Sequence, residues 1–414
     1  MKLLLHPILV CLLAGFAPPL HAQNPGCNGA RYLNDVFTTV TKTTVQYAPT
    51  LSHTGLAMVL SMDVYQPEGD NLSQRPVVVL AHGGSFVFGD KFMMQRWCEL
   101  LAKKGYVAAS IQYRIYPVFA LGYPDSVKIF DTAVKAMGDM KAAVRYFRED
   151  AATANQFRID PAHIFIGGYS AGAVTALHAG YLDANDVLPP FLQALVTANG
   201  GLEGSSGSAS NKTYSSQASA IVNMSGGLYR SEWIDAAELP LVSIHGTADA
   251  TVPYTYGLAA NIAYLEGSSL LHARAEAVGG WNYLQTVPGA GHTDLYDNAG
   301  FQLPLDSFWV AASTLLEALT CATTGTLETE DQASWQIAPN PAVDGPVRLT
   351  LPATLQQAEV AGFDALGRMV LPWQPVSNQS FLPVAQLTAG HYWLQLRDTA
   401  APGKRFEAKM LVRQ

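Results

Sequence analysis

The chain has 414 residues, of which 49% are hydrophobic and 14% charged, so it is long enough for two domains and a large core. Its formal net charge of -8 makes it a poor candidate for binding nucleic acid or anionic lipid. It has no zinc spacing, calcium loop, Walker motif or dinucleotide signature, so we expect no cofactor and no metal.

The first 22 residues have the layout of a secretory signal peptide. Lys2 precedes an apolar run that ends at Ala17, and cleavage is expected after Ala22. A membrane-spanning anchor needs about 20 apolar residues, and this run is shorter and broken by proline. No later segment is a spanning candidate. The sequence therefore predicts passage to the periplasm and a secreted or cell-surface product.

Three cysteines remain once Cys11 is removed with the signal peptide, which allows one disulfide. Cys27 and Cys321 bracket the main predicted domain, residues 23–321, and domain termini are often neighbours, which favours this pair. Cys27 with Cys98 is the alternative. Cys98 also fits a thiol packed on a helix.

Between residues 57 and 320, apolar runs of strand length alternate with longer helical patterns. This alternation predicts an α/β fold with a mostly parallel, doubly wound sheet. The predicted strands are Met58 to Tyr65, Val77 to Ala81, Val107 to Tyr113, His163 to Gly167, Ala220 to Met224, Leu241 to His245 and Tyr283 to Val287.

Three helices are predicted over residues 131–150, 170–182 and 304–319. Residues 200–219 are rich in Gly, Ser, Asn and Thr, which indicates a loop. Such a loop is either a surface excursion, which we favour, or a border of a substrate site.

A second domain is predicted after Cys321. Residues 322–335 are rich in threonine and acids and are interpreted as a linker. Short alternating segments follow, separated by turn residues, which predicts a small all-β sandwich over residues 336–414. These segments are Val347 to Leu351, Val360 to Phe363, Arg368 to Leu371, Tyr392 to Leu396 and Ala408 to Val412.

The pentapeptide Gly168-Tyr169-Ser170-Ala171-Gly172 follows a predicted strand and precedes a predicted helix. A serine on such a tight turn is exposed for attack on a carbonyl carbon. We therefore predict that Ser170 is a nucleophile, the alternative being a serine that only caps the helix. The flanking Gly168 and Gly172 would support the turn.

Backbone donors for an oxyanion are predicted in His82-Gly83-Gly84-Ser85-Phe86, which follows the strand ending at Ala81. Consecutive glycines let the backbone approach a ligand closely, so the N–H groups of Gly84 and Ser85 are the candidates, with Gly83 shaping the turn. The N–H of Ala171 adds a third donor. His82 is expected to orient the loop, and a plain glycine turn is the alternative.

Asp249 and His292 follow two later strands and complete the chain order Ser, Asp, His. Asp249 would orient the imidazole of His292, which would act as the base. Many loop aspartates only cap turns, and Asp294 or Asp297 would be the acid if Asp249 is not. His245 is expected to orient a loop.

On these motifs the chain resembles the α/β-hydrolase superfamily over approximately residues 30–320. Within that superfamily it resembles the esterases and lipases that have an H-G-G-x oxyanion loop. The resemblance also rests on Gly105-Tyr106-Val107 and on Tyr113-Arg114. It implies a carboxylesterase, with feruloyl and acetyl esterases of plant polysaccharide among the relatives. Ser85 replaces a common third glycine, and there is no obvious lid domain, which favours short acyl groups.

The C-terminal region resembles a type IX secretion sorting domain, which implies recognition by that secretion machinery and usually removal of the domain. The motifs that carry the resemblance are Ile337-Ala338-Pro339-Asn340-Pro341, Phe363-Asp364-Ala365-Leu366-Gly367-Arg368, Leu387-Thr388-Ala389-Gly390-His391-Tyr392 and Lys409-Met410-Leu411-Val412. A carbohydrate-binding or Ig-like accessory module is the alternative.

Taken together, the sequence predicts a secreted serine esterase with small-molecule or polysaccharide-linked ester substrates. A serine peptidase on the same fold would need an anchor for a substrate amine, such as paired glutamates. A non-catalytic binding or adhesion protein is the third hypothesis, although such proteins usually lose the nucleophile or the base. Nine aromatic residues are candidates for lining an acyl or aryl pocket, namely Phe86, Phe88, Trp97, Tyr116, Phe119, Tyr169, Trp233, Tyr254 and Tyr256.

Overall fold

The computed structural model describes residues 26–321, 336–338, 346–351, 355, 358–364, 369–388, 390–398 and 409–413. The predicted signal peptide, residues 1–22, and the predicted linker, residues 322–335, lie outside the described residues. Both therefore stay predictions.

Residues 26–321 contain eleven strands. They are β1 (Val40–Leu51), β2 (Ala57–Pro67), β3 (Arg75–Ala81), β4 (Val107–Ile111), β5 (Ile159–Tyr169), β6 (Ile221–Met224), β7 (Gly227–Leu228), β8 (Leu241–Gly246), β9 (Tyr256–Ala259), β10 (Ala263–Gly267) and β11 (Asn282–Val287). Eight of these form one sheet in the order β1-β2-β4-β3-β5-β6-β8-β11. β2 is antiparallel to both of its neighbours, and the remaining pairs are parallel. The predicted mostly parallel sheet of an α/β fold is thus confirmed.

Helices cover both faces of this sheet. They are α1 (Gln95–Lys103), α2 (Val118–Leu121), α3 (Ser126–Ala152), α4 (Ala171–Tyr181), α5 (Pro190–Ala198), α6 (Ser268–Ala277), α7 (Asp294–Asp297) and α8 (Gln302–Cys321). Successive side chains of β3 enter opposite cores: Val77 and Val79 pack in one cluster, and Val78 and Leu80 in the other. Among the described helices, none combines the length and apolar composition that a bilayer span requires.

The long helix α3 begins earlier than the sequence pattern suggested. The carboxylate of Asp125 accepts a hydrogen bond of 2.9 Å from the backbone N–H of Lys128, which satisfies a donor of the first turn. The predicted start at residue 131 missed this first turn and a half because its side chains, apart from Ile129, are mostly exposed.

The loop at residues 200–219 is fastened to α3 by buried polar contacts. Arg114 donates to both oxygens of Asp139 at 2.8 and 3.0 Å, and Ser206 joins the same cluster. Arg145 donates to Glu203 at 2.7 Å. The loop contributes no residue to the main cavity described below, in agreement with a surface excursion.

Cys27 and Cys321 are joined by a disulfide, with their Cα atoms 5.6 Å apart. Cys98 lies buried on α1 as a free thiol. The bond connects the beginning of the described chain to the last residue of α8.

The described C-terminal residues form two antiparallel sheets. One has the order β12-β13-β16 and the other β15-β14-β17-β18. The strands are β12 (Gln336–Ala338), β13 (Val347–Thr350), β14 (Ala358–Asp364), β15 (Met369–Val376), β16 (Phe381–Leu382), β17 (Gly390–Asp398) and β18 (Lys409–Arg413). Leu349 and Leu382 of the first sheet share one core with Val360 and Leu394 of the second. This agrees with the predicted small β-sandwich.

Candidate active site

Ser170 occupies a sharp turn between β5 and α4. Its backbone has φ 55° and ψ -122°, a combination that residues other than glycine rarely adopt. Such a backbone conformation costs about 1–3 kcal/mol of folding free energy. The Ser170 N–H donates to the carbonyl of Met224 at 2.9 Å, which anchors the turn to β6. The turn places the Ser170 side chain at the carboxyl end of the sheet.

Gly168 and Gly172 allow this turn to pack directly on β3. A Cβ atom at Gly168 would lie 2.5 Å from the carbonyl oxygen of Ala81, and one at Gly172 would overlap the same carbonyl. Any larger residue would push the turn away from the end of β3, the strand that leads into the loop beginning at His82.

Ser170, His292 and Asp249 are brought together in one hydrogen-bonded chain. His292 Nε2 lies 2.8 Å from Ser170 Oγ, and His292 Nδ1 lies 2.6 Å from Asp249 Oδ2. Asp249 follows β8 and His292 follows β11, and these neighbouring parallel strands end at the same edge of the sheet. With a proton on Nδ1 bound to the carboxylate, Nε2 presents its lone pair to the serine hydroxyl.

Asp249 is nearly buried, yet it is surrounded by donors. Its Oδ1 accepts from the backbone N–H groups of Thr251 and Val252, each at 2.8 Å. Burial opposes ionisation, but hydrogen bonds from His245 and His292 outweigh it and hold the pKa of Asp249 well below its usual range. Asp249 therefore stays a carboxylate that can stabilise an imidazolium at His292.

His245 contributes a contact that the sequence analysis did not assign. Its Nε2 faces two acceptors, Asp249 Oδ2 at 3.2 Å and the Val252 carbonyl at 3.0 Å, so this nitrogen must carry a proton. Its Nδ1 lies 2.8 Å from Ser268 Oγ. Besides the expected role in orienting a loop, His245 thus contacts the carboxylate of Asp249 directly.

Tyr169 holds the other side of the imidazole. Its ring stacks on that of His292 with centroids 5.2 Å apart, and its hydroxyl donates to the His292 carbonyl at 3.2 Å. The only sequence signal for this role is the position of Tyr169 directly before Ser170. Its partner His292 lies 123 residues later in the chain, so no local sequence pattern could predict the contact.

The loop after β3 has an unusual backbone. Gly84, Ser85 and Phe86 have successive positive φ values of 120°, 51° and 64°. The Gly84 carbonyl accepts from the N–H groups of Val87 and Phe88 at 2.9 and 3.1 Å, which closes a tight turn. Among the described residues, none accepts a hydrogen bond from the N–H of Gly84, Ser85 or Ala171, so the three predicted oxyanion donors are free for a ligand.

His82 and Gly83 hold this loop beside the serine. His82 Nδ1 lies 2.7 Å from the Gly83 carbonyl, and its ring stacks on Tyr113 at 4.4 Å. The Tyr113 hydroxyl donates to the His82 carbonyl at 2.7 Å. A Cβ atom at Gly83 would lie 2.9 Å from the ring of Tyr169, so glycine is needed for this close approach.

A narrow cavity, part of it open to solvent, extends from Ser170. Its walls come from the loop at Ser85, from α3, α4 and α5, from the loop at Thr251 and Val252, and from the β9–β10 hairpin. Of the nine aromatic residues that were candidates for lining a pocket, only Phe86 does so. Trp97 instead stacks on Trp309 in the core. Within the described residues there is no cluster of His, Cys, Asp and Glu suited to a metal ion.

Residues 62–229 match the family model described as BD-FAE. Among curated proteins, Esterase-5C of Drosophila miranda and Esterase-5C of Drosophila persimilis are each 27% identical over 122 residues, which are 29% of this chain and 21% of theirs. The chain thus spans about a fifth of the length of the curated relatives it matches. The BD-FAE match contains Ser170 but ends before Asp249 and His292.

Two solved structures of esterase 2 from Thermogutta terrifontis are also similar. The enzyme phosphoramylated by tabun is 21% identical, with a TM-score of 0.48, over 68% of this chain and 96% of that chain. The form phosphorylated by paraoxon is 22% identical, with a TM-score of 0.48, over 68% and 95%. The chain thus has a mostly parallel α/β sheet and a BD-FAE match over residues 62–229, and the named relatives are esterases.

Proposed function

We propose that this protein is a serine carboxylesterase. The observation that carries the proposal is the chain of hydrogen bonds from Ser170 Oγ through His292 to Asp249, at 2.8 and 2.6 Å, on a strained turn beside free backbone donors. An acyl-transfer enzyme needs a nucleophile, a base, an acid that orients the base, and oxyanion donors. All four have candidates here.

In the proposed reaction Ser170 Oγ attacks the ester carbonyl while its proton passes to His292 Nε2. The N–H groups of Gly84, Ser85 and Ala171 stabilise the oxyanion of the tetrahedral intermediate. His292 then gives the proton to the departing alcohol, and the acyl group stays on Ser170. Water, deprotonated by His292, attacks this acyl-enzyme and releases the acid and the free serine.

We expect Ser170→Ala to lower kcat for p-nitrophenyl butanoate by about 10⁴-fold or more, because the attacking oxygen is removed. The measurement is initial rates, together with labelling by a fluorophosphonate probe read by intact mass. Ser73→Ala, at an exposed serine, is the matched control and should keep both activity and labelling. An active or labelled Ser170→Ala protein would show that another residue is the nucleophile.

The peptidase alternative receives no support from the cavity. No acidic residue of the described chain lines it, so nothing there would anchor a substrate amine. We therefore do not propose that activity.

We also propose that the chain is exported through its N-terminal signal and delivered by type IX machinery through residues 336–414. Support comes from the sequence resemblances alone. In a host with that machinery, deleting residues 336–414 should shift esterase activity from the medium to the periplasm, measured by fractionation. A control without residues 1–22 should remain in the cytoplasm. Equal activity in the medium for the full chain and the C-terminal deletion would contradict the proposed sorting role.

A further inference from the structure

The cavity lies on the acyl side of the reacting centre. His292 must deliver its proton to the leaving oxygen, so the alcohol half of an ester lies on the His292 side of Ser170. His292 is not among the residues lining the cavity, whereas Ser85, Ser170 and Ala171 are. The group that enters the cavity is therefore the acid half.

The walls of this cavity are mostly apolar, with the hydroxyls of Ser85, Ser170 and Thr251, and they are uncharged. No Asp, Glu, Lys or Arg of the described chain lines it. The aliphatic lining side chains include Ile129, Val134, Met137, Val174, Leu192 and Leu265. A charged acyl group would lose its hydration there without gaining a partner.

His178 is the one histidine of the described chain that lines the cavity, and it offers no hydrogen bond to a ligand. Its Nδ1 lies 2.7 Å from the Val174 carbonyl, and its Nε2 accepts from the Tyr229 N–H at 3.2 Å. Both ring nitrogens are thus occupied by the backbone. Burial lowers the pKa of His178 to about 4, so the side chain is neutral at pH 7.

The β9–β10 hairpin separates the cavity from solvent. Ala259 pairs with Ala263, and Leu258 pairs with Tyr264. The first pair lines the cavity, while the second points outward, with Leu258 38% and Tyr264 55% exposed. One wall of the cavity is therefore one face of this hairpin, with alanines beside Ile262 and Leu265, and the opposite face is exposed.

From these observations we infer that the enzyme selects its substrate by the acid half of the ester. The cavity takes uncharged aliphatic acyl groups longer than acetyl, and the alcohol half of the ester faces solvent. This inference rests on the proposed esterase function. It departs from the acetyl and feruloyl substrates suggested by the resemblance. A feruloyl ring carries phenol and methoxy oxygens, and besides the nucleophile the lining offers them only the hydroxyls of Ser85 and Thr251.

The test measures kcat/KM for p-nitrophenyl acetate, butanoate and hexanoate, with feruloyl and succinyl monoesters as polar and charged probes. We expect a rise of roughly fourfold for each added methylene, which corresponds to about 0.8 kcal/mol for each buried methylene group. The feruloyl and succinyl esters should fall below the hexanoate.

Ala263→Phe and Leu258→Phe form a matched pair, because each adds a phenyl ring to the same hairpin on opposite faces. Ala263→Phe should lose the rise toward hexanoate, and far-UV circular dichroism reports whether it is folded. Leu258→Phe should behave like the unaltered enzyme. If Ala263→Phe fails to fold, the chain-length series of the unaltered enzyme still decides.

A flat or falling series from acetate to hexanoate overturns the inference. So does an unchanged slope in Ala263→Phe, or a feruloyl or succinyl ester hydrolysed faster than hexanoate. Each of these results leaves esterase activity in place, provided that turnover still depends on Ser170. Absence of Ser170-dependent turnover for every ester would instead remove the proposed function itself.

Discussion

Asp249→Asn should lower kcat by about 10⁴-fold while the protein stays folded. Oδ1 accepts from two backbone N–H groups, so the amide oxygen of asparagine must take that position and its NH₂ must face His292. A donor there forces the imidazole into the tautomer with a proton on Nε2. That nitrogen then has no lone pair with which to accept the Ser170 proton.

The rates are measured with p-nitrophenyl butanoate, and far-UV circular dichroism reports the fold. Asp294→Asn and Asp297→Asn are the controls, because these two acids, which closely follow His292 in the sequence, were the alternatives to Asp249. Both variants should keep nearly full activity. His245→Phe should cost on the order of tenfold, since Asp249 loses one of four donors and keeps three. An active Asp249→Asn enzyme, or an inactive Asp294→Asn enzyme, would reassign the acid.

Removing the disulfide should have the largest effect on stability. We expect Cys27→Ala/Cys321→Ala to lower the free energy of unfolding by about 2–5 kcal/mol. The two cysteines are 294 positions apart, so the cross-link restricts most of the unfolded chain. Urea unfolding followed by tryptophan fluorescence, without reductant, gives the free energy.

Cys98→Ala serves as the control because it removes a buried thiol and leaves the cross-link intact. It should lose less stability than the double variant. Reductant should lower the free energy of unfolding of the unaltered protein and leave that of the double variant unchanged. A double variant as stable as the unaltered protein would mean that the bond contributes nothing measurable.

The sheet was largely predictable because its strands are buried runs with clear ends. Val77 to Ala81 of β3 are all buried, as their apolar sequence indicated. β1 was not predicted, because this strand at the sheet edge is rich in threonine and half-exposed, and its sequence lacks an apolar run. The β9–β10 hairpin was missed for a related reason: its two faces are both partly apolar, so no alternation marks it.

The candidate site was predictable where a motif lies on a turn, as for Ser170 and the loop at Gly84. The supporting contacts were not, because they depend on how separate loops meet. Tyr169 contacts a histidine that only the fold brings near. The cavity walls likewise come from six separate segments, so their mostly apolar residues carry no local signal.

The bond between Cys27 and Cys321 also bears on the tail removal that the C-terminal resemblance implies. Cys321 is the last residue of α8, and everything C-terminal to it lies outside the covalent ring that the bond closes. A protease that cut beyond this point would release the downstream strands and leave the ring intact. Removal of the tail would therefore not break the cross-link that joins the two ends of residues 27–321.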